Sequence, residues 1–450
     1  MARLDNYLVK KFVLSDRLSV LAEKKRVYEN IPDKARIVEQ QIRRFNTVWE
    51  RCYKTIPFYT QWRNRHGLPE RISAVDDLRR FPLLTKRAIQ ENRDLIFQNG
   101  KIKQYVSTGG STGEPTRFPS AKAEAIPTYA DLYAGRSWYG IQPLDRALVF
   151  WGHSHLFGSG WKGIFNNCKR KMYDRVLNTR RLNAYDMSAE TVERYFACYR
   201  RSNPAFILGY TSCLYKLAKY ICEHGPDCGR KDRLRAVIVT SESVTMSDIE
   251  LLGKAFRVPV AVEYGMAETG AIAYSRSSPS NLQVFWDSFI GTAGSDRVLN
   301  VTTLYDKLFP LINYSTDDRV EVDSAEDGSV LTLRSILGRR RELLTVGTTR
   351  GSPLELSGIL MVHILKSYPH IYSIQVEQIK LHAVRIHLDA DRPLDLGRVK
   401  EYFMRQIRKD HKDVDPGCVE MIQVNETPKT LSGKENIVFF GASGERRLVS

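Results

Sequence analysis

Four short apolar runs between residues 147 and 265 constrain the fold more than any other feature of the sequence. They are ALVFW, AFILGY, AVIVT and VPVAVEYG, at residues 147–151, 205–210, 236–240 and 258–265. Helical patterns such as LYKLAKYICEH and MSDIELLGKAF stand between them. An alternation of buried strands with helices is typical of a mostly parallel sheet that helices cover. We therefore predict an α/β fold for this part of the chain.

The chain before and after these runs has a different pattern. Helical spacing dominates the first hundred residues, as in the stripe of Ile37, Gln41, Phe45 and Val48. We predict a helix-breaking turn with aromatic anchors at TIPFYTQW and a helix N-cap at Thr85. Alternating segments at residues 283–337, among them LNVTTLY, DRVEVD and LTLRSIL, predict a β-rich section.

The last hundred or so residues predict a small α+β domain. Residues 372–390 alternate as a hairpin does, and another strand is expected at 419–424. One helical face between them consists of Leu396, Val399, Phe403 and Ile407. We place the boundary near Gly338, so that residues 1–337 form a large domain and residues 338–450 form the small one.

Composition limits the class of protein. A chain of 450 residues is too long for one core, and 42% hydrophobic with 26% charged residues is ordinary for a globular protein. The net charge of +17 favours anionic partners, which could be a nucleotide, coenzyme A, nucleic acid or an anionic membrane face. Because aromatic residues are not interleaved with the basic ones as in RNA-binding motifs, no nucleic-acid partner is expected.

The location of the protein is predicted to be cytoplasmic. No apolar run approaches the roughly 20 residues of a membrane helix, and MARLDNYLVKKF is a poor secretory signal. Seven scattered cysteines indicate reduced thiols. The cluster of Cys222, His224 and Cys228 has zinc ligands but no second pair, so ordinary loop chemistry is the preferred interpretation.

The segment STGGSTGEPT is the first candidate functional site. It combines three glycines with four hydroxyls in the run Ser107, Thr108, Gly109, Gly110, Ser111, Thr112 and Gly113. Glycines let successive N–H groups point at one anion, and hydroxyls add donors. The segment is neither a P-loop nor a dinucleotide fingerprint. A flexible linker is the alternative, which the preceding strand pattern and Pro115 disfavour.

These residues, with others in the same order, resemble the adenylate-forming superfamily of acyl-CoA synthetases and luciferases. The similarity is greatest to the phenylacetate–CoA ligase-like branch, which includes AMP-ligases of capsule and antibiotic gene clusters. It covers nearly the whole chain, through the segments TIPFY, FPLLTK, STGGSTGEPT, VEYGMAETG, YSTDDRV, LGRRRELL and PKTLSGKEN.

The resemblance implies ATP, Mg²⁺ and a carboxylic acid as ligands. The loop Ser107 to Gly113 would hold the β- and γ-phosphates, although Glu114 stands where lysine is usual. In the segment Glu263, Tyr264, Gly265 and Met266, the tyrosine would pack on adenine. Glu268 would ligate Mg²⁺. Ala267 replaces a hydroxyl residue, so a donor to the α-phosphate is missing or comes from Thr269.

Further residues are implied around the ribose and the reaction centre. Ser241 and Glu242 match a turn that lines the adenine, and a helix N-cap is an equal alternative. Asp318 would accept both ribose hydroxyls, with Asp317 where glycine is usual; a β-turn is the alternative. Arg339 would reach the ribose and phosphate, and Arg341 stands where aspartate is more common.

Lys434 is the strongest candidate for a catalytic residue. An ammonium at this turn would offset the repulsion between the attacking carboxylate and the α-phosphate. An exposed turn lysine is the alternative, and the surrounding PKTLSGKEN motif disfavours it. His153 and His155 follow a strand where this fold places its acid pocket, but an ordinary loop role is preferred.

We therefore predict an AMP-forming carboxylate ligase that makes an acyl-adenylate and passes the acyl group to coenzyme A. An amine or amino-acid acceptor is the main alternative, and a degenerate relative that binds polyanions is the second. The sequence leaves open the identity of the acid and whether the protein is a monomer or a homodimer.

Overall fold

The computed structural model describes most of the chain. The described residues are 9–10, 14–108, 116–152, 160–184, 187–224, 233–242, 244–322, 328–339, 343–351, 353–366, 368–408, 411–425 and 438–440. The helices of this part are α1 (Ser15–Glu29), α2 (Lys34–Thr55), α3 (Pro57–His66), α4 (Lys86–Glu91), α5 (Arg93–Ile96), α6 (Ala125–Ser137), α7 (Gly160–Val176), α8 (Ala189–Ser202), α9 (Thr211–His224), α10 (Met246–Phe256), α11 (Gly358–Lys366) and α12 (Leu396–Ile407).

In the described part of the chain, the strands form four sheets. They are β1 (Tyr105–Ser107), β2 (Arg117–Pro119), β3 (Ala147–Trp151), β4 (Thr179–Asn183), β5 (Phe206–Tyr210), β6 (Ala236–Thr240), β7 (Val260–Met266), β8 (Gly270–Ser275), β9 (Leu282–Val284), β10 (Phe289–Ala293), β11 (Val298–Thr303), β12 (Tyr314–Val322), β13 (Thr332–Arg339), β14 (Leu343–Val346), β15 (Leu354–Ser357), β16 (Ile371–Lys380), β17 (Ala383–Ala390), β18 (Val419–Val424) and β19 (Val438–Phe440).

One half of the eleven-stranded main sheet is parallel. Its strands lie in the order β4-β3-β5-β6-β7, and all four pairings are parallel. Every residue of β6 is buried because helices cover both faces of such a sheet. The four predicted strands are confirmed as β3, β5, β6 and β7. The edge strand β4 has the sequence TRRLN, and two charged residues suit an exposed edge.

The other half of the same sheet is antiparallel. From β7 the order continues β8-β9-β13-β12-β11-β10, with antiparallel pairing at each step. The predicted β-rich section is therefore confirmed, and it extends the parallel sheet. The fold is α/β with a parallel and an antiparallel half, as the sequence patterns predict.

The N-terminal helices pack on this sheet. In α2 the predicted stripe of Ile37, Gln41, Phe45 and Val48 is buried. The prediction of a turn at TIPFYTQW is wrong beyond its first residues: only Ile56 is extended, and Pro57 then begins α3. Proline is favoured at the first position of a helix because its missing N–H needs no partner there. The aromatic anchors of this segment, Phe58, Tyr59 and Trp62, are buried.

The C-terminal residues form an α+β arrangement around a second hydrophobic cluster. The predicted hairpin is β16 and β17, which pair antiparallel in a sheet of order β18-β17-β16-β19. The predicted helical face lies on α12, where Val399, Phe403 and Ile407 are buried. This cluster runs from Leu344 to Val438 and is distinct from the cluster of the main sheet, which ends at Leu333.

Two lysines of α9 join the C-terminal sheet to the main one. Lys216 Nζ lies 3.7 Å from Asp389 Oδ2, and the side chains are 10% and 15% exposed. Lys219 Nζ lies 3.4 Å from the centroid of the Tyr372 ring, in a cation–π contact. Burial lowers the pKa of Lys219. The two cores are therefore in contact through charged side chains that are largely shielded from water.

A buried charge network attaches α1 to the main sheet. Lys24 contacts Asp131 and donates to both oxygens of Asp287 at 2.8 Å, while the Tyr28 hydroxyl donates to Asp287 Oδ1 at 2.8 Å. Burial lowers the pKa of Lys24, but the two carboxylates outweigh burial and the net shift is upward. Each charged side chain of this network is stabilised by the others, because an unpaired ion in the protein interior costs several kcal/mol of folding free energy.

No helix of the described residues is long and apolar enough to cross a membrane. The six cysteines that the structure describes are free thiols, and burial raises the pKa of the Cys52 thiol to about 12. Within the same residues, no group of three or more metal-ligating side chains occurs. The His224 ring stacks on Tyr220 at 3.9 Å, and Cys228 lies outside the described residues.

Replacement of Lys24 tests the network. We expect Lys24→Met to lower the free energy of unfolding by about 3–5 kcal/mol, because two carboxylates lose their buried cation. Urea unfolding followed by tryptophan fluorescence measures the change. The control is Lys54→Met, since Lys54 forms an exposed pair with Glu50 and its loss should leave the transition unchanged. Equal midpoints for both variants would contradict the stabilising role.

Candidate active site

Most of the predicted site residues that the structure describes meet at one edge of the main sheet. Ser241 and Glu242 follow β6, and Glu263 to Met266 end β7. Thr240 and Glu263 are register partners in the parallel pair. Ligands of α/β proteins bind outside the carboxyl ends of parallel strands, because the chain turns away from the sheet there and leaves a crevice.

Tyr264 and Asp318 are joined by a hydrogen bond. The Tyr264 hydroxyl donates to Asp318 Oδ2 at 2.8 Å, across 54 residues of sequence. Asp318 is in turn the register partner of Arg339 in the pairing of β12 with β13. The side chain of Arg339 lies outside the described residues. The fold thus brings together three positions that the sequence analysis assigned to adenine, ribose and phosphate.

A bulge in β12 positions Asp318. Asp317 has φ of +67°, which is the left-handed region that favours glycine, and the register of β11 with β12 shifts at this point. The Thr316 hydroxyl donates to Leu299 O at 2.7 Å and accepts from Asp318 N at 3.1 Å. The alternative of a β-turn at Asp317 is wrong, because both aspartates lie inside a strand. Aspartate tolerates the conformation better than most other residues do.

Glu268 is a buried carboxylate with a hydroxyl partner and two nearby lysines. Its side chain is 2% exposed, and Oε1 accepts from the Tyr314 hydroxyl at 2.7 Å. Lys86 Nζ lies 3.8 Å from Oε1, and Lys307 Nζ donates to the Glu268 carbonyl at 2.7 Å. Burial, and then Glu268, raise the pKa of Tyr314 well above its ordinary value. Tyr314 therefore stays a donor at neutral pH.

This carboxylate is suited to Mg²⁺. Among the described residues, no hydrogen bond is made to Oε2 of Glu268. Magnesium in nucleotide sites takes one or two protein carboxylates and completes its shell with phosphate oxygens and water. The Glu268 carboxylate, with Oε2 left for coordination, fits this kind of magnesium site. One carboxylate alone would not hold the ion without the phosphates of a bound nucleotide.

Lys86 and Tyr314 also belong to the site, although no role was predicted for either. A short parallel bridge brings them to the site: Leu84 N donates to Asn313 O, and Ser315 N donates to Leu84 O, both at 3.0 Å. Thr85 then begins α4, and its hydroxyl accepts from Ala88 N at 3.2 Å, which confirms the predicted N-cap. The signal was present, since both residues lie within the matched segments FPLLTK and YSTDDRV.

The base of the predicted phosphate loop is fixed beside Glu268. Strands β1 and β2 pair antiparallel, and Thr108 and Thr116 close them with two hydrogen bonds of 3.0 Å. Gln90 Nε2 donates to the Thr116 hydroxyl at 3.0 Å. The Phe118 ring packs edge-on against Tyr314, with centroids 6.0 Å apart. The loop residues Gly109 to Gly113 lie outside the described residues, but both of their attachment points are next to the site.

The turn between β7 and β8 requires glycine at two positions. A Cβ on Gly265 would lie 2.1 Å from Gly270 O, and Gly270 itself has φ of +74°. The Thr269 hydroxyl accepts from Met266 N at 3.2 Å and donates to Gly270 O at 2.9 Å. Since Thr269 is 1% exposed and its proton is used inside the turn, this conformation does not offer it as the missing donor to a phosphate.

Glu242 and Glu263 have partners within the protein. Glu242 accepts from Ser212 N at 2.8 Å and from the Ser212 hydroxyl at 3.1 Å, at the start of α9. Ser241 adopts φ of +68°, and Thr245 caps α10 in place of the predicted alternative at Ser241–Ser243. Glu263 pairs with Arg136 at 3.1 Å. Burial lowers the pKa of Arg136, but Glu263, Tyr133 and Tyr274 together outweigh burial, and the net shift is upward.

Several predicted residues lie outside the described part of the chain. They are Gly109, Gly110, Ser111, Thr112, Gly113, Glu114, His153, His155, Arg341 and Lys434. Their roles stay predictions. Strand β19 begins four residues after Lys434 and pairs in parallel with β16.

Comparison with solved structures identifies the class of fold. The chain resembles 2-hydroxyisobutyryl-CoA ligase in its postadenylation state with 2-HIB-AMP, with a TM-score of 0.68 at 17% identity over 92% of this chain and 91% of that one. The same enzyme in its thioesterification state, with 2-HIB-AMP and CoA, has a TM-score of 0.55 to this chain. The identity is 17%, and the match covers 91% of this chain and 90% of that one. The fold is that of adenylate-forming CoA ligases, and the predicted resemblance is confirmed.

A comparison with characterised sequences adds one relative. Protein CapK of Staphylococcus aureus is 23% identical over 322 residues, which cover 68% of this chain and 69% of that protein. No protein-family model matches the chain.

Substitution of Gly265 tests the turn. We expect Gly265→Ala to lower the free energy of unfolding by about 1–3 kcal/mol, because the new methyl group would overlap the backbone of Gly270. Gly253→Ala is the matched control: nothing lies within 4 Å of its added Cβ on α10. There alanine should stabilise the helix by about 0.5–1 kcal/mol. Thermal unfolding of the two variants should therefore shift in opposite directions, and a shift in the same direction would argue against the close approach.

Proposed function

We propose that the protein is an ATP-dependent, AMP-forming carboxylate ligase. A carboxylate oxygen attacks the α-phosphorus of ATP, the bond to the β-phosphate oxygen breaks, and an acyl-adenylate and pyrophosphate result. The single observation that carries the proposal is the Tyr264–Asp318 hydrogen bond, because it joins two motifs distant in sequence at the carboxyl end of the sheet. The fold supports the same activity.

The nucleoside would bind between these two motifs. A carboxylate has two oxygens with two acceptor positions each, so Asp318 can accept both ribose hydroxyls while it keeps its bond to Tyr264. The ring of Tyr264 would contact the adenine through its face. The hydroxyl of Tyr264 acts as a positioning group, since it holds the carboxylate of Asp318 in one orientation.

The triphosphate would lie toward Glu268. Its Oε1 is held by Tyr314, which leaves Oε2 for a magnesium ion. Bound Mg²⁺ would neutralise phosphate charge. Lys86, which is 35% exposed beside Glu268, adds a positive charge on the solvent side of that carboxylate. The loop from Ser107 to Gly113 would surround the β- and γ-phosphates from its fixed base.

The two hydrophobic clusters support the predicted division into domains of residues 1–337 and 338–450. We assign the ammonium of the reaction centre to Lys434 in the second domain. There it would offset the repulsion between the attacking carboxylate and the α-phosphate. The contacts of Lys216 and Lys219 with the C-terminal sheet fix one relative placement of the two cores.

Coenzyme A is the acceptor we favour. The net charge of +17 suits its phosphates, and the solved structures with this fold include a CoA ligase with CoA bound. An amine or amino-acid acceptor is the alternative. The acid itself is unassigned, and a cytoplasmic location remains a prediction.

The test is pyrophosphate release from ATP and Mg²⁺ over a panel of aryl, alkyl and sugar-derived acids, without any acceptor. Acid-dependent release that is lost in Lys434→Ala is the expected result. Thioester or amide formation on addition of coenzyme A or an amine would then distinguish the acceptors. A protein that binds ATP but releases no pyrophosphate with any acid would favour the degenerate polyanion-binding alternative. Absence of ATP binding would contradict both the site and the proposed activity.

Glu268→Gln tests the magnesium site. Glutamine keeps the shape of the side chain and an acceptor for Tyr314, but it loses the negative charge that binds the metal. We expect kcat for pyrophosphate release to fall about 100-fold, and the Mg²⁺ concentration for half-maximal rate to rise. Glu321→Gln, on the exposed part of β12, is the control and should leave both quantities unchanged. An unchanged Mg²⁺ dependence would remove Glu268 from the metal site.

Tyr264→Phe tests the positioning role with two nucleotides. The ring stays, so we expect KM for ATP to rise only about tenfold, the effect of one hydrogen bond. In the natural protein, 2′-deoxy-ATP should bind more weakly than ATP because Asp318 loses a partner. That difference should shrink in Tyr264→Phe, since the carboxylate is no longer held in place. An unchanged ratio between the two nucleotides would show that Tyr264 does not orient Asp318.

A further inference from the structure

Helix α7 exposes an unusual number of large apolar side chains. Phe165 is 68% exposed, Met172 66%, Tyr173 45% and Val176 38%. Four of the ten large apolar side chains that are exposed in the described residues therefore lie on this one helix. Such side chains are ordinary when they are scattered singly, but a group of them on one element marks a surface that contacts something apolar.

The apolar side chains form a stripe on the outer face of the helix. At 100° per residue, Phe165, Met172 and Val176 lie within about 40° of one another. Asp174, which is buried, lies on the opposite side and faces the sheet. The stripe therefore points directly away from the protein. Lys169 and Arg175 are exposed on either side of it.

A strongly basic cavity of about 680 Å³ lies between this helix and the edge strand β4. Among the described residues, seven lysines or arginines line it, against one carboxylate, that of Asp174. Arg181 and Arg170 pair with that carboxylate, at 3.1 and 3.7 Å. The remaining basic side chains of the lining are Arg146, Lys171, Arg175, Arg180 and Arg201.

These remaining basic groups are left for an external anion. Within the described residues, none of the five lies within ion-pair distance of a carboxylate. Arg146 donates to the Ser202 carbonyl at 3.0 Å, which fixes its guanidinium at the cavity wall. Like charges this close together repel one another unless an anion balances them. The cavity therefore carries an excess of positive charge, and it lies beside the apolar stripe of α7.

We propose that this face docks on the surface of an anionic lipid bilayer. Helix α7 would lie in the plane of the interface, with Phe165, Met172 and Val176 in the acyl boundary. Arginine and lysine side chains of the cavity would contact the lipid phosphates. A helix with an apolar stripe and flanking cations is the pattern of an interfacial helix, and charge complementarity selects anionic lipid.

The apolar stripe decides between a bilayer and a free polyanion. Nucleic acid or soluble phosphates would use the basic cavity, but they would gain nothing from Phe165 or Met172. A bilayer uses both features at once. The described lining of the cavity does not include Tyr264, Glu268 or Asp318, so the proposed docking face is distinct from the proposed ATP site.

The test is sedimentation of the full chain with vesicles. We expect binding to phosphatidylcholine vesicles that contain about one third phosphatidylglycerol, no binding to pure phosphatidylcholine, and weaker binding as salt is raised. Phe165→Ser with Met172→Ser should weaken binding at least tenfold, and so should Arg175→Glu with Arg180→Glu. The matched controls are Ile31→Ser with Leu381→Ser for exposed apolar residues, and Arg36→Glu with Arg350→Glu for exposed cations.

A label on Cys168 gives a second measurement. Cys168 is an exposed thiol on α7, so an environment-sensitive fluorophore there should shift to the blue with anionic vesicles only. Pyrophosphate release without vesicles should be the same in all these variants, which separates this proposal from the proposed function.

Three outcomes would overturn the proposal. The face would be a polyanion site if the double variant Phe165→Ser with Met172→Ser still bound vesicles and the protein bound soluble polyphosphate as tightly as it binds vesicles. A dimer in sedimentation analysis that depends on Phe165 and Met172, without vesicle binding, would mean that a second copy covers the stripe. No binding to either kind of vesicle would exclude a bilayer as the partner.

Discussion

The close approach of two backbones at Gly265 and Gly270 is the constraint on which the rest of the site depends. At this point the main sheet changes from parallel to antiparallel, since β7 pairs in parallel with β6 and antiparallel with β8. Any side chain at residue 265 would meet the carbonyl of Gly270. The tight turn holds Tyr264 at the end of one strand and Glu268 a few residues later, where each meets a residue of β12.

Strand β12 provides the other side of this arrangement. Tyr314 at its start bonds to Glu268, and Asp318 four residues later bonds to Tyr264. Two residues four apart in a regular strand point to the same face, but the bulge at Asp317 adjusts their directions. The unfavourable conformation of Asp317 is therefore maintained by the contacts of its neighbours, and the strain lies where the proposed ribose site is formed.

Charge is distributed differently at the proposed ATP site and at the face formed by α7 and β4. Around Glu268 the lysines are placed individually: Lys86 lies beside its carboxylate, and Lys307 donates to its backbone carbonyl. Around α7 and β4 the cations are crowded and exceed the carboxylates many times over. The first arrangement suits one metal-bound phosphate chain, whereas the second suits a surface of many phosphates. The net charge of +17 conceals this difference because it sums over both.

Local sequence patterns were enough to predict four of the five strands in the parallel half, β3, β5, β6 and β7, together with the C-terminal hairpin and the buried face of α12. Those patterns are local, because the spacing of apolar residues along the chain alone decides which face of a helix or strand is buried. The motifs also predicted Tyr264, Glu268 and Asp318 as site residues, and their roles stay predictions. Only the tertiary structure decided that Tyr264 donates to Asp318, that Lys86 and Tyr314 join Glu268, and that Pro57 begins a helix. The side-chain contacts join residues that are tens to hundreds of positions apart in the sequence. The conformation at Pro57 depends on which of two permitted conformations the surrounding core selects. No local pattern contains either kind of information.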